Sequence, residues 1–171
     1  MENGLVHIYY GYGKGKTSAA VGQGIRACGR GLKVVLAQFL KSGNSGEIKC
    51  LNQLNNFYVF QNPGHLPFLF QMSGKEKDEY KAYCFSLFQK AVNMNCDILI
   101  LDEILDAAEE NLISKELIID IISCRPLDRE IIMTGHGEHK DILEYADYIT
   151  FFENRKHPFD LGLKARIGIE L

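Results

Sequence analysis

Tyr9-Tyr10-Gly11-Tyr12-Gly13-Lys14-Gly15-Lys16-Thr17-Ser18 is the stretch on which the fold of this chain turns. An apolar run ending in two tyrosines (residues 5–10) leads into it, and a helix-compatible stretch (19–28) leads away. A glycine-rich loop between a strand and a helix is the setting of a phosphate-binding P-loop. Its glycines let backbone N–H groups turn inward as an anion nest, and the helix aims its positive end at the phosphates. In this reading Lys16 meets the phosphate oxygens and the Thr17 hydroxyl is a Mg²⁺ ligand. Gly11, Tyr12, Gly13, Lys14, Gly15 and Ser18 complete the nucleotide cradle. The common Gly-x-x-x-x-Gly-Lys-Ser/Thr pattern has glycine where this chain has Tyr10; with its glycine at Gly11 the loop is a short variant.

Outward from the loop, apolar runs rich in Val, Ile, Tyr and Phe recur at residues 33–39, 57–60, 98–101, 130–134 and 148–152. Between them lie stretches of helical spacing. Tyr80, Cys84, Leu87 with Phe88, and Ala91 mark one helix face, and Leu117, Ile118, Ile121 and Ile122 mark another, stopped by Pro126. Strands alternating with helices predict an α/β fold: a single P-loop NTPase-like domain over 1–171, with a mostly parallel sheet covered by helices on both faces. Residues 42–56 and 62–78, polar or bearing Pro and Gly, are expected to be loops.

The run Asp97-Ile98-Leu99-Ile100-Leu101-Asp102-Glu103 supplies the second half of a nucleotide site. A buried strand ending in an acid pair is the Walker B arrangement, with Asp102 and Glu103 as candidate Mg²⁺ ligands and Glu103 also a candidate catalytic group. Polar clusters follow three further strands: Gln38 through Lys41, Thr134-Gly135-His136, and Asn154-Arg155-Lys156-His157. The carboxyl ends of parallel strands line one crevice, so these clusters and the P-loop are expected to converge. Gln38, Thr134 and His136 are therefore candidate binding residues, and Lys16 and Lys41 candidate catalytic ones. His136 and His139 are three apart, a metal pair only if the turn between them is helical.

Of the 171 residues, 46% are apolar and 24% charged, which excludes disordered, collagen-like and coiled-coil classes. No apolar run approaches the ~20 residues of a membrane span, and the start has no leader pattern. Net charge is −3, yet residues 1–41 carry six Lys/Arg against Glu2 alone. That local excess suits a compact polyanion rather than a nucleic-acid backbone, so neither nucleic acid nor membrane is an expected partner. Five cysteines without a Cys-x-x-Cys predict reduced, mostly buried thiols in a cytoplasmic protein.

Residues 11–20, Gln38-Phe39-x-Lys41, Leu101-Asp102-Glu103-Ile104, Thr134-Gly135, Ala146-Asp147 and Lys156-His157-Pro158-Phe159 together resemble the corrinoid adenosyltransferases of the CobA/BtuR type. Gly162, Ala165 and Gly168-Ile169-Glu170 fall in the same register. The likeness runs through nearly the whole chain, and the short P-loop is itself a family trait. It implies that the cobalt of a reduced corrinoid, cob(I)alamin or a precursor, attacks the ribose C5′ of Mg-ATP and expels intact triphosphate (Mn²⁺ can stand in for Mg²⁺). Adenosylcobalamin biosynthesis or salvage is the implied setting. A reduced flavin or flavoprotein as electron donor and a homodimer are implied as well. In this family the triphosphate lies reversed in the P-loop, leaving C5′ exposed.

Three departures stand out. Long-form members carry an N-terminal extension that helps cover the site, whereas only residues 1–4 precede the first strand here. The usual Thr-Gly-Arg is Thr134-Gly135-His136, a permanent cation replaced by one that titrates near neutrality. The family's tryptophan loop, expected to help displace the corrin's lower ligand, is replaced by residues 63–70 in a chain without Trp. There Phe68 and Phe70 either crowd the lower ligand and exclude water or anchor the loop to the core. A P-loop kinase or NTPase, and a non-catalytic nucleotide- or corrinoid-binding homologue, are the competing readings.

Overall fold

The computed structural model describes residues 3–41, 45–62, 64, 69–158 and 162–169. Among the described residues six strands form one sheet: β1 (Val6–Tyr10), β2 (Val34–Gln38), β3 (Phe57–Phe60), β4 (Ile98–Asp102), β5 (Glu130–Gly135) and β6 (Tyr148–Phe151). Their spatial order is β3-β2-β4-β5-β1-β6, and every pairing is parallel. The expected α/β architecture is thus present, with a sheet that is wholly rather than mostly parallel.

Alternation along the strands sorts side chains onto two cores. Val35 and Ala37 of β2, Leu99 and Leu101 of β4, and Ile131 and Met133 of β5 face one side. There they meet α3 (Gly74–Asn93), α4 (Ile104–Glu109), α5 (Lys115–Ser123) and α6 (Lys140–Leu143), through residues such as Phe88, Leu105, Ile118 and Ile142. Val34, Leu36, Ile98, Ile100 and Ile132 face the other, under α1 (Lys16–Cys28) and α2 (Gly46–Leu51). Helices therefore cover both faces, which is why β2 and β4 read as unbroken apolar runs. Each fully buried Leu, Ile or Phe stabilises this arrangement by about 1.5–3 kcal/mol.

Both expected loops contain helix. Residues 46–51 form α2, whose Ile48 and Leu51 plug the core beside β3. Helix α3 starts at Gly74, inside the stretch 62–78, because Ser73 and Glu76 make a reciprocal capping box. The Ser73 hydroxyl accepts the Glu76 N–H at 3.3 Å, and the Glu76 carboxylate accepts the Ser73 N–H at 2.7 Å. β6 is an edge strand paired with β1, and all four of its residues are exposed. All five cysteines are free thiols. Burial pushes the Cys84 thiol up to about 11 and raises that of Cys96, whereas Cys50 and Cys124 are exposed, so the thiols are not mostly buried. Among the described residues no helix is long and apolar enough to cross a membrane.

Candidate active site

Asp102 is the hub. It ends β4 opposite Gln38 of β2, and its carboxylate is completely buried. Oδ1 accepts from the Thr17 hydroxyl at 2.9 Å and the Thr134 hydroxyl at 2.7 Å. Oδ2 accepts from Gln38 Nε2 at 3.1 Å and Lys41 Nζ at 2.6 Å. A buried carboxylate survives only when its lone pairs are met in this way. Four predicted residues from α1, β2, the turn after it and β5 thus meet on one predicted acid.

Two strained turns frame the hub. Glu103 sits in the left-handed region (φ 60°), and its N–H donates to the Thr134 hydroxyl at 2.8 Å. Leu40, just ahead of Lys41, is left-handed too (φ 55°), and its N–H donates to the Tyr80 hydroxyl at 3.1 Å. Such conformations cost of order 1–3 kcal/mol in a non-glycine residue and persist where neighbours over-determine them. Asn62 finishes the second turn, donating to the Lys41 carbonyl at 2.8 Å and to the Tyr80 hydroxyl at 3.2 Å. Tyr80 and Asn62 carried no site signal in the sequence: Tyr80 read as core, and Asn62 fell in an expected loop.

Lys41 Nζ also donates to Thr17 Oγ1 at 2.7 Å and lies 3.5 Å from Glu103 Oε1. Burial works against its charge, but Asp102 and Glu103 outweigh it and hold the ammonium above its ordinary range. Burial raises the Glu103 carboxyl, an effect that Lys41 only partly offsets. Lys16 is buried as well and donates to the carbonyls of Gly11 at 2.7 Å and Gly13 at 3.2 Å. Burial lowers its ammonium, with Asp106, Glu103 and Asp102 pulling the other way.

The P-loop itself corrects one expectation. Gly11 and Gly13 were assigned to the anion nest, but their N–H groups donate to the carbonyls of His136 (3.2 Å) and Phe152 (2.7 Å). A Cβ on Gly11 would lie 2.4 Å from the Phe152 carbonyl oxygen, and one on Gly13 2.7 Å from the same carbonyl. These two glycines are required where the loop packs, backbone on backbone, against the exit of β6. The nest is accordingly centred further along the loop. Gly15 caps α1, the first helical bond runs from the Ala19 N–H to the Gly15 carbonyl at 2.8 Å, and the N–H groups of Lys16, Thr17 and Ser18 start the helix without intrahelical partners.

At the rim, both oxygens of Asp106 accept the His136 N–H at 3.2 Å, and Oδ1 lies 3.0 Å from the His136 Nδ1. The His136 ring lies 5.4 Å from that of Tyr12, which is 76% exposed. His139 turns instead to Glu109, at 3.3 Å, and among the described residues no three His, Cys, Asp or Glu side chains gather as a metal cluster. The His136–His139 metal pair is therefore not formed. Phe70 lies in a short 3-10 turn (Leu69–Gln71) and is 78% exposed, which removes the core-anchor reading for it. Phe68 lies outside the described residues.

The model of the ATP:corrinoid adenosyltransferase family BtuR/CobO/CobP matches residues 2–171. The chain belongs to this family. Curated relatives agree. The corrinoid adenosyltransferase of Escherichia coli K12 is 34% identical, with 99% of this chain and 86% of the relative aligned. Corrinoid adenosyltransferase CobA of Salmonella typhimurium is 33% identical over the same shares, and the Pseudomonas aeruginosa enzyme 29%, with 84% of its length aligned. As a corrinoid adenosyltransferase the chain is a transferase, and its P-loop and acid strand have their counterpart in an ATP-using chemistry.

Proposed function

We propose that residues 1–171 act as one unit that grips the triphosphate of ATP as a leaving group while a reduced corrinoid attacks the ribose C5′. The cobalt of the substrate supplies the electron pair of the new Co–C5′ bond, and the breaking C5′–O bond leaves its pair on triphosphate. No protein base is called for, because the nucleophile arrives already activated. Lys16 exchanges its loop carbonyls for phosphate oxygens, and the N–H groups at the start of α1 add donors aimed at a polyanion. Tyr12 and His136, with Asp106 orienting the latter, border the nucleotide at the rim. Phe70 presents an apolar surface to the corrin.

The residues present suit a hard divalent cation. Thr17 Oγ1, Asp102 and Glu103 are oxygen donors that already surround one positive charge, and Gln38 Oε1 is buried with no hydrogen-bond partner among the described residues. Bound there with the nucleotide, Mg²⁺ would offset the negative charge that builds on the departing triphosphate. A reduced flavin or flavoprotein as electron source, a homodimer and a cytoplasmic setting belong to the same reading.

The observation that carries it is the extent of the family match, from the P-loop to the residues beyond β6 that pack on that loop. A generic phosphotransferase leaves the stretch 156–170, through which the resemblance continues past β6, unexplained. Anaerobic incubation with cob(I)alamin and Mg-ATP tests it: free triphosphate with a light-sensitive alkyl-cobalt product is expected. ADP with a phosphorylated acceptor or free phosphate, and no alkylated corrin, would mark a kinase or NTPase instead.

A further inference from the structure

We propose that Lys41 is the resident counter-ion of the divalent-cation site, filling it until metal arrives together with nucleotide. The proposal rests on the Mg²⁺ reading above, because it gives one position to both cations. Lys41 Nζ lies 2.6 Å from Asp102 Oδ2, 2.7 Å from Thr17 Oγ1 and 3.5 Å from Glu103 Oε1. Those three residues are the ones that the P-loop and the acid strand, read without reference to Lys41, nominate as cation ligands. An ammonium carries three donors and no acceptor, and here it meets three oxygens. A divalent ion on the same oxygens and the ammonium would stand within a few ångströms of each other, where like charges in a buried site repel strongly. Occupancy is therefore exclusive.

The turn is built for such an exchange. The backbone of Leu40 and Lys41 is fixed from α3 and from the end of β3, by Tyr80 and Asn62, both buried. None of those bonds involves the lysine side chain. Its ammonium can leave the acids by rotation of its own stem while the Cα stays in place, and a bound triphosphate offers it new oxygens beside the P-loop. In the meantime Asp102 is never a buried carboxylate without a cation, a state that is strongly destabilising. Lys41 thus keeps the metal site satisfied and closed to free divalent ions, so that metal enters as the metal–nucleotide complex.

Binding of Mn²⁺ alone, followed by the electron paramagnetic resonance of the free ion, reads this without any turnover. Wild type is expected to bind Mn²⁺ weakly without nucleotide, and Lys41→Met at least ~10-fold more tightly, a gain of about 1.4 kcal/mol. Lys41→Arg, which keeps a cation, should behave as wild type, and Asp102→Asn combined with Lys41→Met should lose the gain. Lys41→Gln carries the same test if the Met variant does not fold. Equal Mn²⁺ affinity in wild type and a folded, neutral Lys41 variant would overturn the proposal, as would tight Mn²⁺ binding by wild type alone. Because the readout is metal binding, its outcome stands apart from whether the product is an adenosylated corrin or ADP.

Discussion

The Gly13 N–H donates to the Phe152 carbonyl at 2.7 Å, tying the P-loop to the residue that follows the edge strand β6. The loop is held by α1, by the β6 exit and, through the Gly11 N–H, by His136 after β5. A substitution at Gly13 therefore acts on nucleotide affinity through backbone packing. Gly13→Ala is expected to cost about 1–3 kcal/mol of stability, since a Cβ there meets main chain that cannot rotate away. It should raise the Kd for ATP at least ~10-fold, or about 1.4 kcal/mol. Thermal unfolding and titration calorimetry together check this; unchanged ATP affinity would show that the contact does not shape the nest.

Lys16 is bonded only to carbonyls of its own loop among the hydrogen bonds described for it, so its removal should spare the fold. Lys16→Met is expected to shift the unfolding transition little while weakening triphosphate binding by ~100-fold or more, as for loss of a charge-stabilising group in a buried site. Inorganic triphosphate is the informative ligand, because it isolates the leaving group from the nucleoside. Wild-type affinity in this variant would remove Lys16 from the mechanism.

Asp102→Asn removes the charge and one of the two acceptor oxygens from the centre of the hub, and leaves the Lys41 ammonium without its principal anionic partner. Breaking a buried pair from one side typically costs about 3–5 kcal/mol. Denaturant unfolding should show a loss of that order, larger than for any rim substitution such as Tyr12→Ala. A loss below about 1 kcal/mol would mean that the pair is effectively solvated.

Glu103 gives the pH dependence. Burial holds its folded-state carboxyl above the usual range near 4.5, so the folded chain binds the proton more readily than the unfolded chain. Ionising Glu103 therefore penalises the fold, progressively as pH rises from the ordinary carboxylate range through the raised folded value, and fully above it. Glu103→Gln should be more stable than wild type at pH 7, with the difference shrinking as pH falls through the raised folded value and gone below about 4.5. Its turnover should fall at the same time, the trade-off expected where a site keeps a strained, buried charge. Melting curves across pH decide the point; a constant difference between variant and wild type would refute the assignment.

Phe70 separates the two substrates. It is exposed and is a member of neither core cluster, so Phe70→Ala should change unfolding and ATP affinity little. The KM for the corrinoid should rise, and the effect should be larger in reactions started from cob(II)alamin than from pre-reduced cob(I)alamin. Equal effects would argue against a part in displacing the lower ligand.

How much of this was readable in the sequence follows from the range of the interactions concerned. The strand–loop–helix at 5–28 and the acid strand at 97–103 carry their meaning locally, in period and spacing, and the structure keeps both. The start of α3 was equally legible in Ser73-x-x-Glu76, a local signal hidden in what otherwise looked like loop. The hold of Tyr80 and Asn62 on the Lys41 turn, and of Asp106 on His136, had no such signature. Those bonds span from 18 to 40 residues, and no periodicity announces them. The glycines of the P-loop lie between the two cases: their number was conspicuous, but Gly11 and Gly13 answer to Phe152, more than a hundred positions away.

The four donors on Asp102 come from places 85, 64, 61 and 32 residues distant along the chain. Each requires a loop to be closed before it offers any return, and closures of that length are slow to form. The apolar strands can pair while the carboxylate is still hydrated, but the hub exists only after α1, β2 and β5 have all reached β4. Competence for nucleotide is thus a property of the assembled sheet and α1 together, since no local segment of the chain brings all four donors to the carboxylate.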